Sequence, residues 1–203
     1  DPLKDYAFMR RNTEHFMSLW HSAKPVISKV QGYAVTGGSD IALCCDCEVI
    51  GENTKIGYMP ARVWGCPTTA MWVYRVGAEQ AKRMLLTGDK IDGREAARMG
   101  LVMKAVPAAD LDAAVEDLAA RMASVPINQL TMQKMVINQA IEAMGLAQTQ
   151  RLATVVDEIT RHSPRRLAFK HRSEEVGWKL AVDERDRGTT YDWPRDRTIN
   201  ASR

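Results

Sequence analysis

A mixed α/β fold, with its strands in the first half and helices alone in the second, is what the sequence predicts. Three observations carry that prediction. A β-branched run at residues 26–30 leads into a glycine-containing turn and then a short apolar helix. Further short strand patterns recur up to Val106, interleaved with helical ones. From Ala109 onward apolar residues repeat only at helical spacing.

Taken in order, residues 5–21 form the first expected helix, and Pro25 ends it. The strand at 26–30 follows, then a turn region at 32–38 and a short helix at 39–45. Strands are expected at 47–50 and 55–57, followed by a loop with packed aromatics at 60–67. A helical stretch opens at Thr68, and Gly77 divides it from a second at 78–87. Residues 89–93 form a turn, 94–99 a short helix stopped by Gly100, and 101–106 a strand ended by Pro107. Helices are expected at 109–124, 127–144, 146–161 and 165–187, and a polar, irregular tail at 188–203. A soft boundary falls near residue 108, giving an α/β part at 1–108 and a helical part at 109–203. The strands are few for an α/β core, about four short candidates.

Bulk properties exclude some classes. The net charge of +3 and pI of 8.7 give no argument for nucleic acid, although they suit an anionic ligand. No apolar run is long enough for a membrane span, and the first residues carry no signal-peptide pattern. Cys44, Cys45, Cys47 and Cys66 are clustered unlike a secreted disulfide framework and match no common zinc spacing. Core thiols in a reducing cytoplasm are expected, with no metal site and no bound cofactor.

The chemistry gathers at residues 32–40. Strand, glycine turn and helix start form a general anion cradle, in which Gly37 and Gly38 can bring bare backbone N–H groups close to an oxygen. The glycines lack the spacing of a dinucleotide fingerprint, and no lysine and hydroxyl follow as in a P-loop. The turn on its own is a weak signal, read first as a structural turn and second as a ligand contact. Asp40 is either a proton-transfer group or a carboxylate stabilised by the field of a helix N-terminus.

Several linked motifs carry a resemblance. They are Lys24-Pro-Val-Ile, Gly32-Tyr-Ala, Gly37-Gly38, Asp46, Leu86-Thr-Gly-Asp89 and Ala96-Ala-x-x-Gly-Leu-Val102. In order and spacing, over roughly residues 22–107, the chain resembles the enoyl-CoA hydratase, or crotonase, family. The resemblance implies a spiral of ββα units, here without its N-terminal strands, and a helical C-terminal region for trimerisation. It implies an acyl-CoA or enoyl-CoA ligand, with coenzyme A entering only as part of the substrate, and a homotrimer or hexamer.

Residue by residue, the resemblance places one oxyanion-hole N–H at Gly37, with Gly38 beside it. The second donor is expected from a family segment that would precede residue 1. The first of the family's two glutamates falls on Asp40, one methylene shorter. The second falls on Ala61 or Pro60, neither of which can move a proton. Met59, Val63, Trp64, Met71 and Trp72 are either the wall of an acyl tunnel or core. Arg62 is either a holder of a carboxylate or phosphate or a loop residue stacked on Trp64. Arg161, Arg165, Arg166, Lys170, Arg172 and Lys179 lie where the family reaches toward a neighbouring subunit's coenzyme A, or simply form a solvated face. The four histidines are expected to be packing or surface residues. Hydration is the leading reaction. Isomerisation, hydrolysis or binding without turnover are the alternatives that the missing glutamate leaves open.

Overall fold

The computed structural model describes residues 1–188, and the rest of the expected irregular tail, 189–203, lies outside the described residues. Helix α1, Pro2–His21, begins earlier than expected because Asp1 caps it, its side chain accepting from Leu3 N and Lys4 N. Pro2 sits in the first turn, where a missing N–H costs no hydrogen bond.

Strands β1 (Ile27–Val30) and β2 (Tyr33–Val35) are followed by helix α2 (Gly37–Leu43). Strands β3 (Cys47–Gly51) and β4 (Lys55–Gly57) repeat that order, leading through a 3₁₀ turn at Met59–Arg62 to helix α3 (Met71–Thr87). The repeat explains the topology. The first strand of each unit joins one sheet and the second joins another, so β3 lies parallel on β1 while β4 lies parallel on β2. Each unit is thus one turn of a ββα spiral. Strand β5 (Lys90–Asp92) then pairs antiparallel with β4, helix α4 spans Gly93–Arg98, and β6 (Lys104–Val106) adds parallel to β3. Helices α5 (Leu111–Ala123), α6 (Ile127–Ala143), α7 (Leu146–Arg161), α8 (Pro164–Val176) and α9 (Trp178–Asp186) complete the described chain.

Several expectations change. The turns expected at 32–38 and 89–93 each contain a three-residue strand, β2 and β5, so the described residues hold six strands. The strand expected at 101–106 shrinks to β6, because the N–H groups of Leu101 and Val102 go back to Ala96 O at the end of α4. Thr68 to Ala70 stay outside α3, with Ala70 at φ 57. The helix expected at 165–187 is two, divided at Gly177, whose φ of +85 no helix accommodates. Gly77 does interrupt α3, at φ 73 and ψ 172.

One core joins α1, α2, α3 and the strands through Met17, Trp20, Leu43, Ile50, Ile56 and Trp72. A smaller one seals β3 and β6 against α5 through Val49, Val106, Leu111 and Leu118. Met71 and Trp72 belong to the main core and are buried to within 1%.

Two cations, Arg75 half-buried and Lys134 buried, tie the elements together. Arg75 of α3 donates to Leu43 O at the end of α2 through Nε (3.2 Å) and Nη2 (2.8 Å), and to Cys45 O. The same guanidinium lies 2.8 Å from Glu48 Oε1 on β3. A cation at the carbonyl end of a helix is favourable, and this one also answers a carboxylate that is only 2% exposed. Lys134 of α6 bonds to Asp46 Oδ2 (2.8 Å) and to the carbonyls of Leu19 and Lys24, which docks α6 on the α1–β1 connection.

Arg75→Ala leaves Glu48 buried without its charge partner and should destabilise the fold by about 3–5 kcal/mol in urea unfolding. The double variant Arg75→Met/Glu48→Gln should recover most of that loss. An unchanged midpoint for Arg75→Ala would show that the clasp does not hold α2.

Candidate active site

The site begins at an unusual backbone. Thr36, not a glycine, carries the left-handed conformation before α2, at φ 58 and ψ −124. A non-glycine residue held there costs on the order of 1–3 kcal/mol and persists only where its surroundings fix it. Here Thr36 N donates to Gly57 O at 3.1 Å, while Thr36 O accepts from Ser39 N and Asp40 N. Gly37 and Gly38 themselves open the helix. Phe16 of α1 covers Gly37, 3.6 Å from where a Cβ would stand, whereas a Cβ on Gly38 would meet nothing within 4 Å.

This geometry turns Asp40 inward. It is 4% exposed, and its Oδ1 accepts from Thr69 Oγ1 at 2.6 Å. Burial pushes its carboxyl up to about 7, the negative charge of Asp157 adds to the rise, and the Thr69 hydrogen bond offsets part of it. Thr69 is in turn held by α7, since Gln150 Nε2 donates to Thr69 O at 3.0 Å. The neighbouring thiols are driven up as well, Cys44 to about 12 and Cys66 to about 11, in each case chiefly by burial. They stay protonated near neutrality and are poor nucleophiles. The Tyr58 hydroxyl is also raised, first by burial and then by Asp40 and Asp157.

Asp157 is the residue that sequence reasoning missed. It comes from α7, is 1% exposed, and accepts from Cys66 N (3.0 Å) at Oδ1 and from Arg161 Nε (2.7 Å) at Oδ2. Its neighbours Gln150 and Thr160 grip the same loop, Thr160 Oγ1 accepting from Gly65 N at 3.0 Å. A signal existed: Asp157 stands four residues after Ala153 on the stripe of α7 that is buried, a place where helical patterning calls for an apolar side chain.

The other expected positions are scattered. Met59 and Pro60 are buried, and Ala61 is half-buried against the core, so no carboxylate stands at either candidate acid position. Trp64 packs on Phe169 of α8 with ring centroids 4.9 Å apart, and two guanidiniums lie over its ring, Arg166 at 4.8 Å and Arg185 at 6.0 Å from the centre. Arg62 does not stack there. Its Nε donates to Thr87 O and Gly88 O, its Nη2 reaches Asp89 Oδ1 at 3.1 Å, and its Nη1 donates to Asp186 O. These bonds occupy all three nitrogens in closing the end of α3 against α9. Gly88 permits that approach, with φ +65 and no Cβ to collide with Arg62 Cγ. Of the histidines, His162 bridges α7 to α1, with Asp5 at 3.1 Å and Glu158 at 2.8 Å from its Nε2.

Three clefts open elsewhere. One of about 340 Å³ lies between α3 and α6, one of about 430 Å³ between α1 and α7, and one of about 560 Å³ between the end of α1 and α6. Asp40 lines none of these three. No helix among the described residues is long and apolar enough to cross a membrane.

Comparison with known proteins agrees with the spiral topology. A family model, Enoyl-CoA hydratase/isomerase, matches residues 2–174. The fold superposes with a TM-score of 0.90 on the crystal structure of an enoyl-CoA hydratase from Mycobacterium smegmatis, at 45% identity, covering 93% of this chain and 64% of that one. A putative enoyl-CoA hydratase of Thermus thermophilus is 31% identical over 176 residues, 78% of this chain and 69% of the relative. A probable mitochondrial enoyl-CoA hydratase of Dictyostelium discoideum is 31% identical over 137 residues, 62% of this chain and 48% of the relative. The chain thus spans about half to two-thirds of the length of these relatives. With this topology and a family match over most of its length, the chain belongs to the enoyl-CoA hydratase/isomerase family.

Proposed function

We propose that the chain acts on an acyl-CoA thioester, moving a proton at the carbon next to the thioester carbonyl. Gly37 N–H polarises the carbonyl oxygen, Gly38 lets that oxygen approach, and Asp40 gives or takes the proton. The observation that carries this reading is the burial of Asp40, one turn into the helix that Gly37 opens, with its carboxyl raised to about 7. A group that titrates near the working pH serves best in general acid–base catalysis. Two further points support it. Nothing among the described residues requires a glycine at 38, neither its backbone conformation nor a neighbour. The strained backbone at Thr36 aims the start of α2.

The carbonyl oxygen gains negative charge as the proton leaves, and one well-aimed donor contributes about 2.7–4 kcal/mol at that moment. Met59 and Trp64 supply apolar surface for the acyl part. Arg62 has no part in this reading. Asp40 is reached only where the packing around it opens, since it is almost fully buried. The names of the relatives favour hydration of an enoyl thioester. The absence of a carboxylate at Pro60 and Ala61 favours a second reading, isomerisation, which needs one proton-transfer group where hydration needs two. A homotrimer or hexamer fits the apolar side chains left exposed on α6 and α7, among them Met135, Val136, Ile137 and Ile159.

Proton exchange tests the role of Asp40. Incubated in heavy water with a saturated acyl-CoA, the protein should exchange the proton next to the carbonyl. Asp40→Asn should slow that exchange by ~10²-fold or more while acyl-CoA binding persists. Exchange at the wild-type rate in the variant would remove Asp40 from the chemistry.

The same burial has a cost in stability. The folded carboxyl titrates above its unfolded value, so burying it is free of charge below about 3.8, grows costly as pH rises, and reaches its full penalty above about 7. Asp40→Asn should therefore be more stable than wild type above neutrality, by on the order of 2–4 kcal/mol, with the gap closing toward about pH 4. Urea unfolding at the two ends of that range reads it. A gap independent of pH would mean that Asp40 carries no buried charge.

A further inference from the structure

We infer that Asp157, delivered by α7, is the second carboxylate of this site and stands in space where the sequence motif offers only Pro60 and Ala61. The inference rests on the reading of Asp40 given above and adds what that reading lacks, a group to accept the proton of an attacking water. Its support is geometric. Asp157 Oδ1, Pro60 Cβ and the Tyr58 hydroxyl oxygen all lie within 3.6 Å of one point, the place a Cβ on Gly65 would occupy. The acid expected from the segment after β4 would project from Pro60 or Ala61, and the carboxylate of Asp157 is beside that segment. Gly65 has no side chain to fill the space between them.

Asp157 is also held as a base must be. Cys66 N and Arg161 Nε each donate to one of its oxygens, which fixes the plane of the carboxylate. Each oxygen keeps a second lone pair for a hydrogen bond from water. Asp157 and Asp40 then divide the work. The water oxygen bonds to the β-carbon of an enoyl thioester as one of its O–H bonds breaks and the proton passes to Asp157. The electron pair of the double bond moves toward the carbonyl oxygen, and the α-carbon takes the proton of Asp40. Asp40 is left ionised and Asp157 protonated, and return of one proton from Asp157 to Asp40 restores the starting state. The net change is addition of one water.

A purely structural role for Asp157, pinning the loop at Cys66 to α7, would disturb Asp40 too. The test therefore separates two reactions of one protein. Proton exchange beside the carbonyl of a saturated acyl-CoA needs Asp40 alone. Incorporation of ¹⁸O-labelled water into an enoyl-CoA needs both carboxylates. Asp157→Asn, which keeps an oxygen to accept from Cys66 N, should lower kcat for hydration by ~10²-fold or more, with little change in KM and exchange within about threefold of wild type. Asp157→Glu, with the carboxylate displaced by one methylene, should retain more hydration than Asp157→Asn, and it carries the same comparison if Asp157→Asn fails to fold. Hydration at the wild-type rate in Asp157→Asn would overturn the inference and leave the reading of Asp40 standing. So would a parallel loss of exchange and hydration, or a wild type that exchanges but does not hydrate. A wild type that does neither with any acyl-CoA would overturn both.

Discussion

A seven-residue helix does not hold itself together in water, and the site depends on one that is held from outside. Helix α2 is fixed at both ends. At its start, Thr36 is locked to Gly57 O, and Asp40 is locked to Thr69. At its finish, Arg75 gathers the carbonyls of Leu43 and Cys45 and pairs with Glu48. Phe16 and Met17 of α1 press on it from one side, Met17 Sδ lying 3.5 Å from Cys44 Sγ. Because both ends are pinned, the helix has one position, and the groups at its N-terminus have one direction.

That constraint sets the electrostatics. A carboxylate on a helix exposed to water would titrate near 4. Asp40 is turned inward, away from solvent, and its proton becomes harder to remove. The single hydrogen bond from Thr69 recovers only part of what water would have supplied. Helix α7 contributes twice, steadying Thr69 through Gln150 and placing a second negative charge, Asp157, in the same interior. The site is therefore built across the molecule. Asp40 comes from an early spiral turn, the Thr69 hydroxyl from the loop just before α3, and Asp157 from a late helix.

The sequence was most legible where one signal ran long enough. The β-branched stretch before Gln31 became β1, the helical periodicity after Pro107 became α5 to α7, and Gly77 interrupted α3. It was least legible where an element is shorter than its own period. Strands β2 and β5 have three residues each, too few to show alternation, and they exist because β4 lies between them to be paired. Gly177 was passed over because helical spacing continues on both sides of it. Gly37 and Asp40 stood out as candidates because they are close in the chain. Asp157 did not, being more than a hundred residues further on, and its nearness to the loop at Gly65 shows only when α7 is laid against that loop. Arg62 is near in sequence as well, but its guanidinium is engaged by the end of α3 and by α9.

The central claim is that folding gives Asp40 the proton affinity of a neutral-pH acid. Carbon-13 NMR of the protein with aspartate labelled at its carboxyl carbon measures this directly, Asp40 being assigned by the resonance lost in Asp40→Asn. The account predicts that the Asp40 resonance titrates at about 7. Titration near 4, as for an aspartate in water, would contradict it.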